Sequence, residues 1–376
     1  MTLSLHNNTA ALVARRHIAD ASDDFNSSIV KLSSGKNINS AKDDAAGLQI
    51  ANRLNAQCSG LDVAVKNVGD GVAIVQTAEG SMREMSNILQ DMRAQSLQAA
   101  NGAYSKSDRQ AIQKNIQSLK QEFHSIASST NYAGIRLLDG SYGQKAFQVG
   151  SNNETVLLEL KDMRSNSSSM GGMIFIANEA KDGTWIVGDD SNQLGIDFVD
   201  RAGNGISINI EAKKGDDIEE LATYINGQQE YLTASVSSSG ELQIFVDSAV
   251  AEGDISFSGN LANEFNFGNR RQASLETIDV TSVGGAQEAI AVIDSALNYV
   301  DGHCADMGAL QNRFDRTLSN LVNMQENISE SKGKRFDTDY AKETTKMTRA
   351  QILQQSSSSM LSQARMIPNA ALNLMS

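Results

Sequence analysis

The sequence predicts a mainly α protein with an α+β insert, in which N- and C-terminal helices pair as a coiled coil or helical bundle and a central β-rich domain projects outward. Three observations carry this. Apolar residues recur at alternating three- and four-residue spacing in both flanking arms. The middle changes to two-residue alternation between Gly, Asp and Asn turns. The 376 residues hold a single proline, Pro368, so long uninterrupted helices are permitted almost everywhere. Aromatic residues are only 5%, and the Ala, Leu, Ile, Val and Met that dominate the apolar content suit narrow helix-to-helix seams.

Taken in chain order, the front carries a weakly apolar seam: Ala11, Ala14, Ile18, Ala21, Phe25, Leu32. A stronger one follows at Leu61, Ala64, Val68, Gly71, Val75, Ala78, Met82, Met85, Leu89, Met92, Ser96 and Ala99, apolar at ten of twelve positions. Over 39 residues it predicts a helix of about 58 Å, ended by Asn101-Gly102. After Ser107-Asp108, read as a cap, Ile112, Ile116, Leu119, Phe123 and Ile126 form a face that points back along the first. Leu138 to Ser141 and Val149 to Asn153 punctuate short apolar runs as turns punctuate strands, which predicts one or two hairpins. Ser165 to Gly172 reads as a linker.

Beyond it, Ile206, Ile208, Ile210 and Leu242, Ile244, Val246 alternate like strands, and Asp217 to Ile225 has helical spacing. Helical period returns with Ile290, Ile293, Leu297, Val300, Cys304, Met307, Gln311, Phe314, Leu318, Leu321, Gln325 and Ile328, and ends in a weak seam at Ala350, Leu353, Ser357, Met360, Ala364 and Ile367. Short Ala- and Ser-rich terminal helices bury little area at about 25 cal/mol per Å², so their stripes stay available to neighbouring copies. On period alone, an ordinary intramolecular bundle or dimeric coiled coil is the favoured reading.

Composition excludes several functions. Net charge is −13, and Gly171 to Arg270 holds 17 acidic against 5 basic residues, a field that repels nucleic acid and anionic lipid. Cys58 and Cys304 are too few for a disulfide framework or a spaced metal site and read as small core residues; the axial offset expected between antiparallel arms argues against bridging them. His6, His17, His124 and His303 lack the two-histidine helical spacing of a zinc protease. Glu219-Glu220 and Asp189-Asp190 read as solvated charge before acid-base pairs. Trp185, Phe265 and Phe267 read as anchors of a small core, and no glycine-rich loop has phosphate-cradling spacing. No cofactor, metal or catalytic residue is expected. No apolar run of signal-peptide or membrane-spanning length occurs, so membrane insertion is not expected.

Leu32-Ser33-Ser34-Gly35-Lys36-Asn37-Ile38-Asn39-Ser40-Ala41-Lys42-Asp43-Asp44-Ala45-Ala46-Gly47-Leu48-Gln49-Ile50-Ala51 closely resembles the N-terminal signature of bacterial flagellins. The likeness continues through Gln76 to Gly80, Gln98 to Gly102 and Phe147 to Gly150. At the other end Leu310 to Arg313, Gln325 to Asn327, Asp337 to Glu343 and Gln351 to Gln355 resemble the C-terminal signature. More weakly, Gly205 to Asn226 looks like the small insert motif shared by flagellins and some hook-associated proteins.

The resemblance implies a structural subunit that self-assembles into the flagellar filament, outside the cell, and not an enzyme. A hook-filament junction (hook-associated) protein is the alternative. It implies inner-tube helices at 1–43 and 332–376, a long-helix domain with hairpins from 44–168 and 275–331, and a variable outer domain at 169–274. It implies that the terminal seams named above drive polymerisation, and that export by the flagellar type III apparatus needs no cleaved signal. Implied partners are further copies of the chain, a secretion chaperone at about Lys342 to Ser376, the filament cap and hook-filament junction proteins. Some flagellins present a receptor patch built from an Arg-Glu-Leu run and a nearby Glu; here Arg93-Ala94-Gln95 and Asn115 stand in those places, so innate receptor recognition is expected to be weakened.

Overall fold

The computed structural model describes residues 8–150, 154–182, 184–188, 192–200, 203–228, 232–237, 239–248 and 250–375, without the side chains of 228, 251–254 and 367–375. His6, Asp189, Asp190, Ser238 and the side chain of Ile367 lie outside the described residues. The chain divides into two compact units: Met1–Lys66, Gly150–Glu154 and Leu318–Ser376 form one, and Asn67–Val149 with Thr155–Thr317 the other.

The first unit opens on α1 (Thr9–Ser34), whose cap Asn8 accepts from Ala11 N at 3.0 Å. It contains the start of α2 (Ala45–Ala100), the end of α6 (Val283–Phe336) and all of α7 (Tyr340–Met375). Here α1 packs along α7, and Gln325 of α6 donates to Asp62 of α2. A small core of Ile38, Ala51 and Phe336, with Leu48 against it, sits at the turn between α1 and α2.

In the second unit all the seam residues from Val68 to Ala99 are buried, as are Leu61 and Ala64 on the part of α2 in the first unit. The helix is longer than the seam predicts, 56 residues beginning at Ala45, because Gly47 to Ala51 turn helically over Ile38 without a regular stripe. Two polar-looking seam positions have structural reasons. A Cβ on Gly71 would lie 3.0 Å from the ring of Phe314, so the bare position receives that ring, and Ser96 Oγ donates to Met92 O at 2.9 Å. Glu79 with Gln311, Ser86 with Asp301 and Arg93 with Asp294 align α2 antiparallel to α6.

α3 (Lys106–Ser129) returns antiparallel along α2, since Arg109 donates to Ala99 O at one end and Thr130 Oγ1 to Ser81 Oγ at the other. Its cap is Ser105, not Ser107-Asp108: Ser105 and Asp108 exchange side-chain and backbone bonds as a capping box, so the helix begins two residues earlier. Two hairpins follow, β1 (Asn131–Tyr132) with β2 (Ile135–Arg136), and β3 (Asp139–Gln148) with β4 (Thr155–Asp162). The predicted turn at Leu138 to Ser141 is instead the bulged start of β3, where the register shifts between Asp139 and Gly143. The predicted linker also differs, since Ser165 and Met170 are fully buried and Gly171 begins a strand.

The insert holds two antiparallel sheets. One has the order β10 (Ala251–Ser258), β6 (Gln193–Asp200), β7 (Gly205–Glu211); the other β11 (Phe267–Ser274), β5 (Gly171–Ala177), β9 (Leu242–Asp247), β8 (Leu232–Val236). With α4 (Ile218–Gln228) and α5 (Asn260–Phe265) they enclose one core in which Ile208, Ile210, Leu242, Ile244 and Val246 are buried. Trp185 anchors it edge-on to Phe265 at 5.2 Å while its Nε1 donates to Glu264 at 2.6 Å. The last strand is tied to α6 by Arg271, whose Nη2 donates to both carboxylate oxygens of Glu288 at 2.8 Å. Burial nonetheless pushes the Glu288 carboxyl above its ordinary value.

Gly172 sits where β5 is flanked by β9 and β11, and a Cβ there would lie 2.1 Å from Val246 O. Gly172→Ala is expected to destabilise the insert by at least about 2 kcal/mol, because neither laddered backbone can give. Denaturant unfolding followed by fluorescence of Trp185, the chain's one tryptophan, checks this; an unmoved midpoint would contradict it.

Candidate functional site

The two segments that carry the end signatures meet in the first unit. Lys36 bridges Asp337 in antiparallel fashion, Asn37 N donates to Phe336 O at 2.6 Å, and Thr338 N donates to Gly35 O at 2.9 Å. Around this clasp each signature residue has a local task. Gly35 closes α1 in the left-handed conformation, and Asp43 Oδ2 accepts from the backbone of Asn39 and Ser40. Asp44 accepts from Gly47 N at 2.9 Å at the start of α2, and Asp339 accepts from Ala341 N and Lys342 N at the start of α7. Asp44 and Asp339 thus cap the starts of α2 and α7, and Asp43 holds the loop that joins α1 to α2.

From the clasp, α1 and α7 run antiparallel. On α1 the inward line is Ala11, Ala14, Ile18, Ala21, Phe25, Ser28 and Leu32, with Ala14, Ala21 and Ser28 buried and the rest half-buried. On α7 it is Glu343, Met347, Ala350, Gln354, Ser357, Leu361 and Ala364. Sequence spacing identified Ala350, Ser357 and Ala364 of this line but placed Leu353 and Met360 with them. Those two are 49% and 59% exposed, because the helix turns the neighbouring three-four diagonal inward. Ser28 and Glu343 escaped apolar periodicity because they are polar; only their three-four spacing from Phe25 and Met347 marks them.

Leu12, Val13, Ile29 and Val30 of α1 and Ile352, Leu353 and Met360 of α7 are therefore exposed large apolar side chains. A groove of about 560 Å³ lies between the two helices, lined by Ala10, Val13, His17, Met360 and Gln363 among others. Among the described residues no helix is long and apolar enough to cross a membrane.

Family models match at both ends and in the middle: the bacterial flagellin N-terminal helical region over residues 5–143, the C-terminal helical region over 290–375, and the flagellin hook IN motif over 196–248. Polar flagellin B/D of Vibrio parahaemolyticus is 52% identical over 100% of both chains, and flagellin D of Vibrio cholerae is also 52% identical over 100% of both. The chain belongs to the bacterial flagellin family. It is a structural subunit of the bacterial flagellar filament. Among solved structures, FliC from Burkholderia pseudomallei is 26% identical, with 65% of this chain and 99% of that chain covered at a TM-score of 0.39.

In this flagellin the side chains at the receptor-patch positions are variously engaged. Arg93 is held by Asp294, Nε to Oδ1 at 2.5 Å, the Gln95 side-chain oxygen is enclosed without a protein partner, and Asn115 is exposed. The contacts that align α2 and α3 put Asn115 about level with Arg93 and Gln95. Of the paired glutamates, Glu219 is exposed, and Glu220 exchanges bonds with Asp217 at the start of α4. His17 is exposed, His124 meets Ser165 Oγ at 3.1 Å, and His303 lies edge-on to Tyr299 beside Asp306, with burial holding its pKa below the ordinary value. Cys58 and Cys304 are half-buried free thiols, and burial pushes the Cys304 thiol up. Among the described residues no group of His, Cys, Asp and Glu could hold a metal ion.

Glu343 is the ionisable group of the α1 and α7 seam. Burial opposes its charge most, but Ser28 Oγ at 2.9 Å, Lys346 Nζ at 3.1 Å and the charge of Lys31 together hold its carboxyl below the ordinary 4.5. A depressed folded-state pKa gives stability that is present above the unfolded value and lost as pH falls through the folded one. The pairing of α1 with α7 is thus expected to weaken as pH drops below 4.5, read by amide exchange in the two helices. Glu343→Gln should flatten that dependence; an equally steep one would assign it elsewhere.

Proposed function

We propose that this chain polymerises through the apolar side chains that α1 and α7 leave uncovered, with the terminal helices forming the inner tube of the filament. The observation that carries the reading is the outward position of Leu12, Val13, Leu353 and Met360 on a helix pair whose inner seam is mostly small or polar. Each such side chain contributes roughly 1.5–3 kcal/mol when fully buried, so contacts with neighbouring copies supply what the monomer lacks. The polymerisation seam consists of Ala11, Ala14, Ile18, Ala21, Phe25, Leu32, Ala350 and Ala364 within a subunit, and Leu353 and Met360 toward others, with Ile367 the seam's last position in the sequence.

Five parts then divide the labour: 1–43 and 332–376 for the inner tube, 44–168 and 275–331 for the surrounding long helices, and 169–274 facing outward. The chain leaves the cell through the flagellar export apparatus without a cleaved signal. A secretion chaperone holds Lys342 to Ser376 beforehand, and the subunit adds beneath the cap on a base of junction proteins. Its work is mechanical and not catalytic. The junction-protein alternative has less support, since the relatives matched along their whole length carry the flagellin name.

Seeded elongation by electron microscopy tests the reading. Full-length protein should grow long filaments, a chain lacking 1–40 and 341–376 should not, and Leu353→Asp with Met360→Asp should slow growth at least about tenfold, the equivalent of 1.4 kcal/mol. Unchanged growth of the double variant would refute the outward seam. In the receptor patch, Ala94, Gln95 and Asn115 replace an acidic and apolar surface; purified monomer is expected to give a poor response in a receptor reporter assay, and a full response would refute the weakening.

A further inference from the structure

The seam between α1 and α7 poses a problem of alignment. Ala14 and Ala21 lie level with Ser357 and Ala350, while Ile18 and Phe25 on one helix and Met347 and Leu361 on the other recur a heptad or two apart, so sliding one helix past the other by a heptad sets small residues on small and large on large again. Such a repeating seam distinguishes poorly between alignments a heptad apart. Yet among the described residues of the two helices, two polar side chains are fully buried, Ser28 at 3% and Glu343 at 6% exposure, and they bond each other at 2.9 Å. Near the opposite end Asn8 Nδ2 donates to Ala364 O at 2.7 Å while its Oδ1 caps α1. Both contacts belong to one register.

We infer that the Ser28 and Glu343 pair, seconded by Asn8 on Ala364, is the register lock of the terminal helix pair and decides which alignment of α1 on α7 enters the filament. A buried ionic or polar pair is poor value as stability, since replacing it by apolar side chains of similar size is often neutral or favourable. Its physical effect is on the alternatives. One heptad away Glu343 would face Ala21, leaving a buried carboxylate without the hydroxyl donor, a loss of a charged hydrogen bond that the small apolar contacts cannot replace. Lys346 stays on the same helix as Glu343 in every alignment and so holds its charge without choosing among them. Ser28 and Glu343 are positioning residues: they act by fixing where Leu353 and Met360 stand relative to Leu12 and Val13.

The inference rests on the terminal helices being the assembling segments, and the test separates the two claims. Full-length chains with Cys58→Ala and Cys304→Ala receive one of two reporter pairs: Ala21→Cys with Ala350→Cys for the observed register, or Ala14→Cys with Ala350→Cys for a heptad slide. Each is oxidised within seeded filaments, where a bridge needs Cα atoms within about 7 Å. Chains with native Ser28 and Glu343 should bridge almost entirely through the first pair. In Ser28→Ala with Glu343→Leu the helices should still pair, while the slid bridge rises, or elongation falls, by at least about tenfold. Glu343→Gln, which keeps an acceptor for Ser28 Oγ, should restore both the single register and normal growth.

A native bridge pattern together with normal growth in the apolar variant would overturn the lock. So would a Glu343→Gln chain as defective as the apolar one, since a hydrogen bond could then not be what aligns the helices. If the reporter chain with native Ser28 and Glu343 failed to grow while the deletion chain grew, terminal assembly itself would be wrong.

Discussion

The return of the chain upon itself is the constraint on which the first unit depends. Residues near position 36 and residues near position 337 can be neighbours only if the antiparallel register of their helices holds between them, and the backbone bridge from Lys36 to Asp337 sits where α1, α2, α6 and α7 all begin or end. Every terminus there needs its orphan amides or carbonyls satisfied. Asp44, Asp339 and the paired backbones of Gly35, Asn37, Phe336 and Thr338 do this, while Asp43 ties down the loop between α1 and α2. The tight clustering of short polar residues in the two end signatures is thereby a consequence of packing four helix ends into one turn.

The two units solve burial differently. The second is a conventional core: Met82, Met85, Leu89, Met92, Phe123 and Phe314 are fully buried between long helices, and the insert adds its own two-sheet interior. The terminal pair of the first is a seam of small side chains with a carboxylate inside it, leaving Leu12, Val13, Leu353 and Met360 in solvent. A protein that only had to fold would put those four inward. Their exposure is what supports the proposed assembly through these helices, since contacts with other copies would bury them.

Legibility followed the strength of the pattern. The seam from Leu61 to Ala99 was readable in full because heavy Met, Leu and Val side chains recur without interruption, and even Gly71 fits once Phe314 is seen to fill it. The alternation in β7 is readable because one face of the strand is buried, and that in β9 because Leu242, Ile244 and Val246 line the insert's core, although Phe245 on the opposite face is buried as well. The start of α3 was misplaced by two residues because Ser105 and Ser107 are both plausible caps, and only the reciprocal bonds with Asp108 choose between them. Asp139 to Ser141 carries turn residues yet forms a bulged strand, since a bulge asks for the same left-handed glycine as a turn. The Ser-rich stretch from Ser165 has the composition of a linker because serine is common in linkers, whereas His124 and Glu276 partner the buried Ser165 hydroxyl.

By itself the sequence determined the helical arms, the β-rich insert, the family and the absence of any pattern for chemistry, because each of these rests on local periodicity or on contiguous motifs. Tertiary structure alone decided which diagonal of α7 faces α1, that Ser28 and Glu343 lie buried between them, and that Leu353 and Met360 do not. The reason is geometric. A helix offers several neighbouring three-four diagonals, and when the side chains along them are small and mixed, composition does not rank them; only the partner helix does.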